Sequence, residues 1–125
     1  MPRVMLVKTF TGYLYVEGEC NDLIEILKYL RDKYGRRTAD VDDAIRILSN
    51  FSIFYDMMRR KFKDFIAPRK DEADLIKGLV TVDKVKLIKE GGKDLGVIVF
   101  DKRVELKLLL NAMKELGIEV NIVEE

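Results

Sequence analysis

The chain has 125 residues, 48% hydrophobic and 36% charged, a composition typical of one globular domain with its own core. Its 23 basic and 22 acidic side chains nearly cancel, so no strong overall field attracts nucleic acid or an anionic membrane. The longest uncharged apolar runs, such as LGVIVF, are far too short to span a bilayer, and we expect no membrane contact.

The N-terminal part of the chain is predicted to form a hairpin followed by a helix. Two β-rich segments, residues 3–10 and 13–17, meet at a Thr-Gly pair that is typical of a hairpin turn. Asn21 is a candidate N-cap for the amphipathic helix that follows, and Gly35 is its predicted C-terminal stop.

The middle of the chain carries a regular apolar stripe. Its members recur at alternating spacings of three and four residues, which predicts one helix over residues 41–66 with one face in the core. Ser49, Asn50 and Ser52 are weak helix formers at the centre of this pattern, so a bend or a break into two helices is the alternative. The stripe consists of Val41, Ala44, Leu48, Phe51, Tyr55, Met58, Phe62 and Phe65.

The C-terminal half is predicted to contain a short helix, a second hairpin, a longer helix and a final strand. The short helix covers residues 71–78, and the two strands of the hairpin cover 83–90 and 95–101. The longer helix covers 102–116, and the final strand covers 118–125. The order ββα-αα-ββαβ predicts an α+β fold, in which a mostly antiparallel sheet is covered by helices in a two-layer arrangement. We expect the whole chain, residues 1–125, to be a single domain.

The residue types that are missing exclude several kinds of chemistry. Without histidine, the chain has no Ser-His or Cys-His nucleophile pair and no His-ligated metal site. Cys20 is the single cysteine, which excludes an intrachain disulfide and predicts a reducing, cytoplasmic compartment. The chain also lacks Trp and Gln and is rich in Lys, Glu, Arg, Ile, Leu and Val, a bias that predicts a thermophilic, archaeal source.

Two groups of carboxylates are the remaining candidates for catalysis or metal binding. Both groups open predicted helices, where capping and the helix dipole already favour acidic side chains. We therefore predict no catalytic residue, no metal site and no cofactor, and keep a Mg²⁺-dependent enzyme as the third hypothesis. The groups are Asp40, Asp42 and Asp43, and Asp71, Glu72 and Asp74.

The leading hypothesis is a non-enzymatic interaction module, a homo-oligomer or a subunit of a larger assembly. Ile45, Ile53 and Met57 fall on the reverse of the helix predicted over 41–66, away from the apolar stripe. Three large apolar side chains there indicate a second contact surface, which either another helix of this chain or a second protein would cover. The edge of the sheet is the alternative place for such a contact.

The second hypothesis is nucleic-acid binding through the basic segments 28–37 and 59–70, in which aromatic residues interleave with the charges. Such side chains can contact phosphates, although charges spread around a helix are also typical of a solvated helix end. The candidate contacts are Arg36, Arg37, Arg59, Arg60, Lys63, Arg69 and Lys70.

Overall fold

The computed structural model describes residues 2–34, 39–70 and 80–125, and five strands in these ranges form one sheet. The predicted stop at Gly35 and the helix predicted over 71–78 lie outside the described residues. The strands are β1 Arg3–Lys8, β2 Leu14–Glu19, β3 Val82–Glu90, β4 Lys93–Phe100 and β5 Glu119–Glu124.

The strands lie in the order β3-β4-β2-β1-β5 across the sheet. The hairpins β1–β2 and β3–β4 are antiparallel, and they meet at the centre of the sheet because β2 pairs antiparallel with β4. β5 pairs parallel with β1 and occupies the outer edge on that side. The α+β prediction is confirmed, and the sheet is mixed rather than purely antiparallel.

The helix predicted over residues 41–66 is two shorter helices with a break at Asn50. The Asn50 side-chain amide donates to the Arg46 carbonyl at 2.8 Å, and the Ser49 hydroxyl donates to the Ile45 carbonyl at 2.7 Å. Such side-chain bonds compete with the helical ladder, which explains why the helix breaks here. The helices in the described ranges are α1 Cys20–Lys33, α2 Ala39–Ser49, α3 Phe51–Arg60 and α4 Leu106–Glu115.

The prediction that Phe62 belongs to the core is wrong, because α3 ends before this residue. The Phe62 N–H donates to the Arg59 carbonyl at 3.2 Å, and the Lys63 N–H donates to the Met58 carbonyl at 3.0 Å. This pair of bonds is a Schellman cap, in which one residue takes a left-handed conformation, and Phe62 accordingly has a φ of 52°. Its side chain is 95% exposed, so the buried stripe ends at Met58.

The core fills the space between the helices and one face of the sheet. Close packing there depends on Gly96 at the middle of β4. A Cβ atom at Gly96 would stand 2.9 Å from Leu48 Cδ2 and 3.1 Å from Leu23 Cδ1. The missing side chain therefore lets α1 and α2 pack directly onto β4.

Candidate interaction surfaces

The three off-stripe residues of the helical region have different environments. Ile45 and Met57 are half-buried and pack against the core, whereas Ile53 is 69% exposed. The break at Asn50 also places Ile45 on α2 and the other two on α3, so they do not share one continuous helix face. Of this predicted surface, Ile53 is the residue that offers most of its side chain to a partner.

The basic side chains of segment 59–70 have different surroundings. The Arg59 guanidinium lies 5.9 Å from the centre of the Tyr55 ring, and Arg60 and Lys63 are exposed. The Lys70 Nζ lies 3.2 Å from Asp83, whereas Arg69 is exposed and contacts Asp43 through its backbone N–H, which donates at 2.7 Å. Arg36 and Arg37 lie outside the described residues.

Two lysines that sequence reasoning did not single out join this basic segment beside β3. Ile66 forms two backbone hydrogen bonds with Val85, which brings the chain after α3 alongside the strand. The neighbouring Phe65 ring then lies 5.2 Å from Lys84 Nζ and 5.7 Å from Lys86 Nζ. Phe65, predicted to be core, is instead half-buried on this side of the sheet and lies outside the core cluster.

We call Phe65, Lys84 and Lys86 the Phe65 patch. The spacing of Lys84 and Lys86 on a strand places both on one face, and this was the signal in the sequence that could have found them. What no spacing could predict is that segment 59–70 returns to lie against the same strand.

The first acidic cluster holds the fold together. Asp40 is 3% exposed, and its Oδ2 accepts a 2.6 Å hydrogen bond from the Val82 N–H, which fastens the start of α2 to β3. The other two carboxylates of the cluster also face protein donors: Asp42 accepts from Arg31 at 3.1 Å, and Asp43 accepts from Arg46 at 2.8 Å and from the Arg69 N–H at 2.7 Å. Within the described ranges, no group of three or more His, Cys, Asp or Glu side chains lies close enough together to hold a metal ion. Asp71, Glu72 and Asp74 lie outside those ranges.

A cleft of about 680 Å³ opens where α1 begins, beside the β3–β4 turn. Burial, followed by the negative charge of Asp94, raises the pKa of the Cys20 thiol to about 12. Burial also raises the pKa of the Asp22 carboxyl, with further contributions from Glu19 and Glu25. Cys20 is therefore a protonated thiol at neutral pH and a poor nucleophile.

The sheet face that points away from the core carries a second apolar strip. Val97 and Val99 are buried on β4 but lie outside the core cluster, and alternation along the strand directs them to the far face. Their partners on β2 are Glu17 and Tyr15. Val99 is 2% exposed on this far face.

The outer edge of β5 lies at the end of the sheet, and β5 pairs only with β1 among the described strands. Ile122, in the middle of this strand, is 45% exposed. The Glu119 N–H donates to the Pro2 carbonyl at 2.9 Å, and the Glu125 N–H donates to the Lys8 carbonyl at 3.1 Å. Odd-numbered residues of β5 therefore bond to β1, and even-numbered residues direct their backbone groups outward.

We call the outward backbone groups of Val120, Ile122 and Glu124 the β5 edge. They form a row of hydrogen-bond donors and acceptors that another strand can pair with.

Comparison of the chain with protein-family models, curated proteins and solved structures found no match. None of the helices in the described ranges is both long enough and apolar enough to cross a bilayer.

Proposed function

We propose that this chain is a non-enzymatic interaction module that associates with itself, and that the β5 edge is its contact surface. The observation that carries the proposal is the contrast between the two edges of the sheet. We also propose a reducing, cytoplasmic compartment, which the single, buried Cys20 supports.

Natural sheets commonly protect their edges with lysines, prolines, bulges or a covering segment. The β3 edge has three of these features: a bulge between Val82 and Lys84, several lysines, and the hydrogen-bonded Ile66 beside Val85. The sequence of β5, EVNIVE, contains no lysine and no proline, and its register with β1 is unbroken. Among the described residues, β5 shows none of these features, and an edge that lacks them can pair with a strand of a second protein.

The charges at the two ends of β5 are compensated within the chain. Arg3 Nη2 lies 2.7 Å from Glu119 Oε2, and Lys8 Nζ lies 3.1 Å from Glu124 Oε1. These exposed pairs add little stability to the fold, but they reduce the repulsion that two acidic strands would otherwise exert on each other. The exposed Ile122 supplies an apolar side chain at the centre of the same strand.

The solution mass of the protein tests this proposal. We expect light scattering to give twice the mass of the chain for the unaltered protein. Ile122→Lys places an ammonium group in the contact, and the cost of desolvating it should weaken association by about a hundredfold or more. Ile53→Glu, on α3, is the matched control and should leave the mass unchanged.

Circular dichroism on both variants separates loss of association from loss of folding. A monomeric parent protein would refute self-association. A folded Ile53→Glu monomer together with a dimeric Ile122→Lys variant would instead assign the contact to the helical surface.

Nucleic-acid binding is the second candidate function, and the Phe65 patch is the observation that favours it. Lys84 and Lys86 both lie against the Phe65 ring, and their described contacts include no carboxylate within ion-pair distance. The ammonium groups of such lysines can contact the phosphates of a nucleic-acid strand that lies along the β3 side of the sheet.

Titration with labelled single-stranded DNA and RNA at low salt tests the second candidate. Binding should weaken steeply as salt is added, and Lys84→Glu with Lys86→Glu should abolish it. Lys107→Glu with Lys114→Glu, on α4, is a control with the same change of charge. The absence of binding at about 100 μM protein would exclude this function, because non-specific binders usually reach that range.

A further inference from the structure

The β5 edge is self-complementary in a way that defines how two copies would pair, an inference that rests on the proposed self-association. Its outward groups belong to alternate residues, as the bonds from the Glu119 and Glu125 N–H groups to β1 require. Antiparallel pairing about a two-fold axis keeps the same face of both sheets on the same side. Two of the registers that meet these conditions also keep most of β5 paired: one sets Asn121 opposite its copy, and the other sets Ile122 opposite its copy.

Charge distinguishes the two registers. With Ile122 at the axis, Glu119 would stand directly opposite Glu125 of the second copy on the same face. Like charges in directly opposed positions destabilise a pair of strands. With Asn121 at the axis, Glu119 stands opposite Val123, and no two acidic residues of β5 face each other.

Apolar matching favours the same register. With Asn121 at the axis, Val120 of each copy stands opposite Ile122 of the other, on the face that the helices cover. Val120 already packs against the core, and Ile122 is paired with the fully buried Leu6 in the sheet. The half-exposed Ile122 side chain would then gain an apolar neighbour. With Ile122 at the axis, Val120 would face the carboxylate of Glu124 instead.

The identity of the residue at the axis is the third argument. Asparagine is depleted in strands, yet Asn121 is the one uncharged polar side chain in β5. Its amide both donates and accepts hydrogen bonds, so it can pair with a second copy of itself. Asn121 projects from the face opposite the helices, where it is exposed beside Met5.

We propose that two copies pair through antiparallel β5 strands with Asn121 opposite Asn121, so that the two five-stranded sheets become one continuous sheet. Both copies would contribute the outward groups of Val120 and Ile122 to the new ladder. The helices of both copies would then cover the same side of that sheet.

Disulfide trapping tests the register directly. Opposed residues in a non-hydrogen-bonded antiparallel pair have Cα atoms about 4.5 Å apart, which a disulfide can bridge, whereas diagonal neighbours about 7–8 Å apart cannot be bridged without movement. Asn121→Cys should therefore form a crosslinked dimer when oxidised glutathione accepts the two electrons. Ile122→Cys would crosslink in the alternative register only.

Two controls define the background rate. Lys89→Cys places an exposed thiol on the opposite edge of the sheet and reports random collision. The parent protein contains only Cys20, whose burial and raised pKa of about 12 should keep it from reacting. At about 10 μM protein, Asn121→Cys should crosslink about a hundredfold faster than Lys89→Cys, because thiols held together react as if at millimolar concentration.

The outcomes separate this inference from the proposed function. Faster crosslinking of Ile122→Cys than of Asn121→Cys would overturn the register and leave β5 self-association intact. If both variants react no faster than Lys89→Cys while the protein has a dimeric mass, β5 is not the contact surface. If the parent protein is monomeric by light scattering, the proposed function itself fails.

Discussion

Replacing Phe51 and Phe62 separately by alanine compares two members of the same apolar stripe. Phe51 is 6% exposed, and its ring stacks on the Tyr55 ring with centroids 5.2 Å apart, whereas Phe62 is 95% exposed. Truncating a buried Phe costs about 3–5 kcal/mol because it leaves a cavity. Phe51→Ala should therefore lower the melting temperature by roughly 12–20 °C at about 4 °C per kcal/mol, and Phe62→Ala should change it little.

Phe62→Gly extends the comparison to the backbone. A left-handed conformation costs an ordinary residue about 1–2 kcal/mol, and glycine avoids that cost while losing some entropy on folding. We expect Phe62→Gly to be more stable than Phe62→Ala by about 0.5–1 kcal/mol. The same cap closes α4, where Gly117 occupies the left-handed position with a φ of 69°.

Thermal and urea unfolding, followed by circular dichroism, give the required free energies. Equal losses for Phe51→Ala and Phe62→Ala would refute the reasoning, since they would mean that the helix continues and buries Phe62. A Phe62→Gly variant less stable than Phe62→Ala would contradict the left-handed cap.

Three further substitutions test a buried hydrogen bond, a close packing contact and a raised pKa. Asp40→Ala leaves the buried Val82 N–H without its acceptor and should cost about 1–3 kcal/mol in urea unfolding. Gly96→Ala forces a Cβ atom against Leu48 and should cost about 1–3 kcal/mol, which melting curves would show. Folding raises the pKa of Asp22, so its ionisation above that pKa destabilises the native state. Asp22→Asn should therefore raise the melting temperature at neutral pH, and this gain should vanish below the usual pKa of 3.8, where the carboxyl is protonated in both states.

The fold class could be predicted because it follows from the order of strands and helices, and local sequence patterns indicate these elements. Alternating apolar residues indicate strands, and apolar residues at spacings of three and four indicate helices. Where glycine marks the end of a helix, as at Gly117, the boundary was predicted within two residues. The same cap ends α3, but there the left-handed position holds Phe62 instead of glycine. The spacing of apolar residues therefore continued past the end of the helix, and Phe62 was wrongly predicted to be in the core.

The candidate surfaces depended on pairings that no local pattern contains. The parallel pairing of β5 with β1 joins residues more than a hundred positions apart, and it decides which strand lies at the edge. Similarly, Lys84 and Lys86 join the basic segment only because Ile66 pairs with Val85. The sequence suggested the edge of the sheet as a contact surface but contained no sign of which edge was open.

Amide hydrogen exchange at Ile122 is the measurement that tests the central claim most directly. In an isolated copy its N–H points outward from β5 and should exchange rapidly, whereas the Asn121 N–H is directed toward β1 and should be protected. If β5 pairs with a second copy, the Ile122 amide should become protected to a similar degree, and dilution to the monomer should remove that protection. Rapid exchange at Ile122 under conditions in which light scattering gives a dimeric mass would contradict the account.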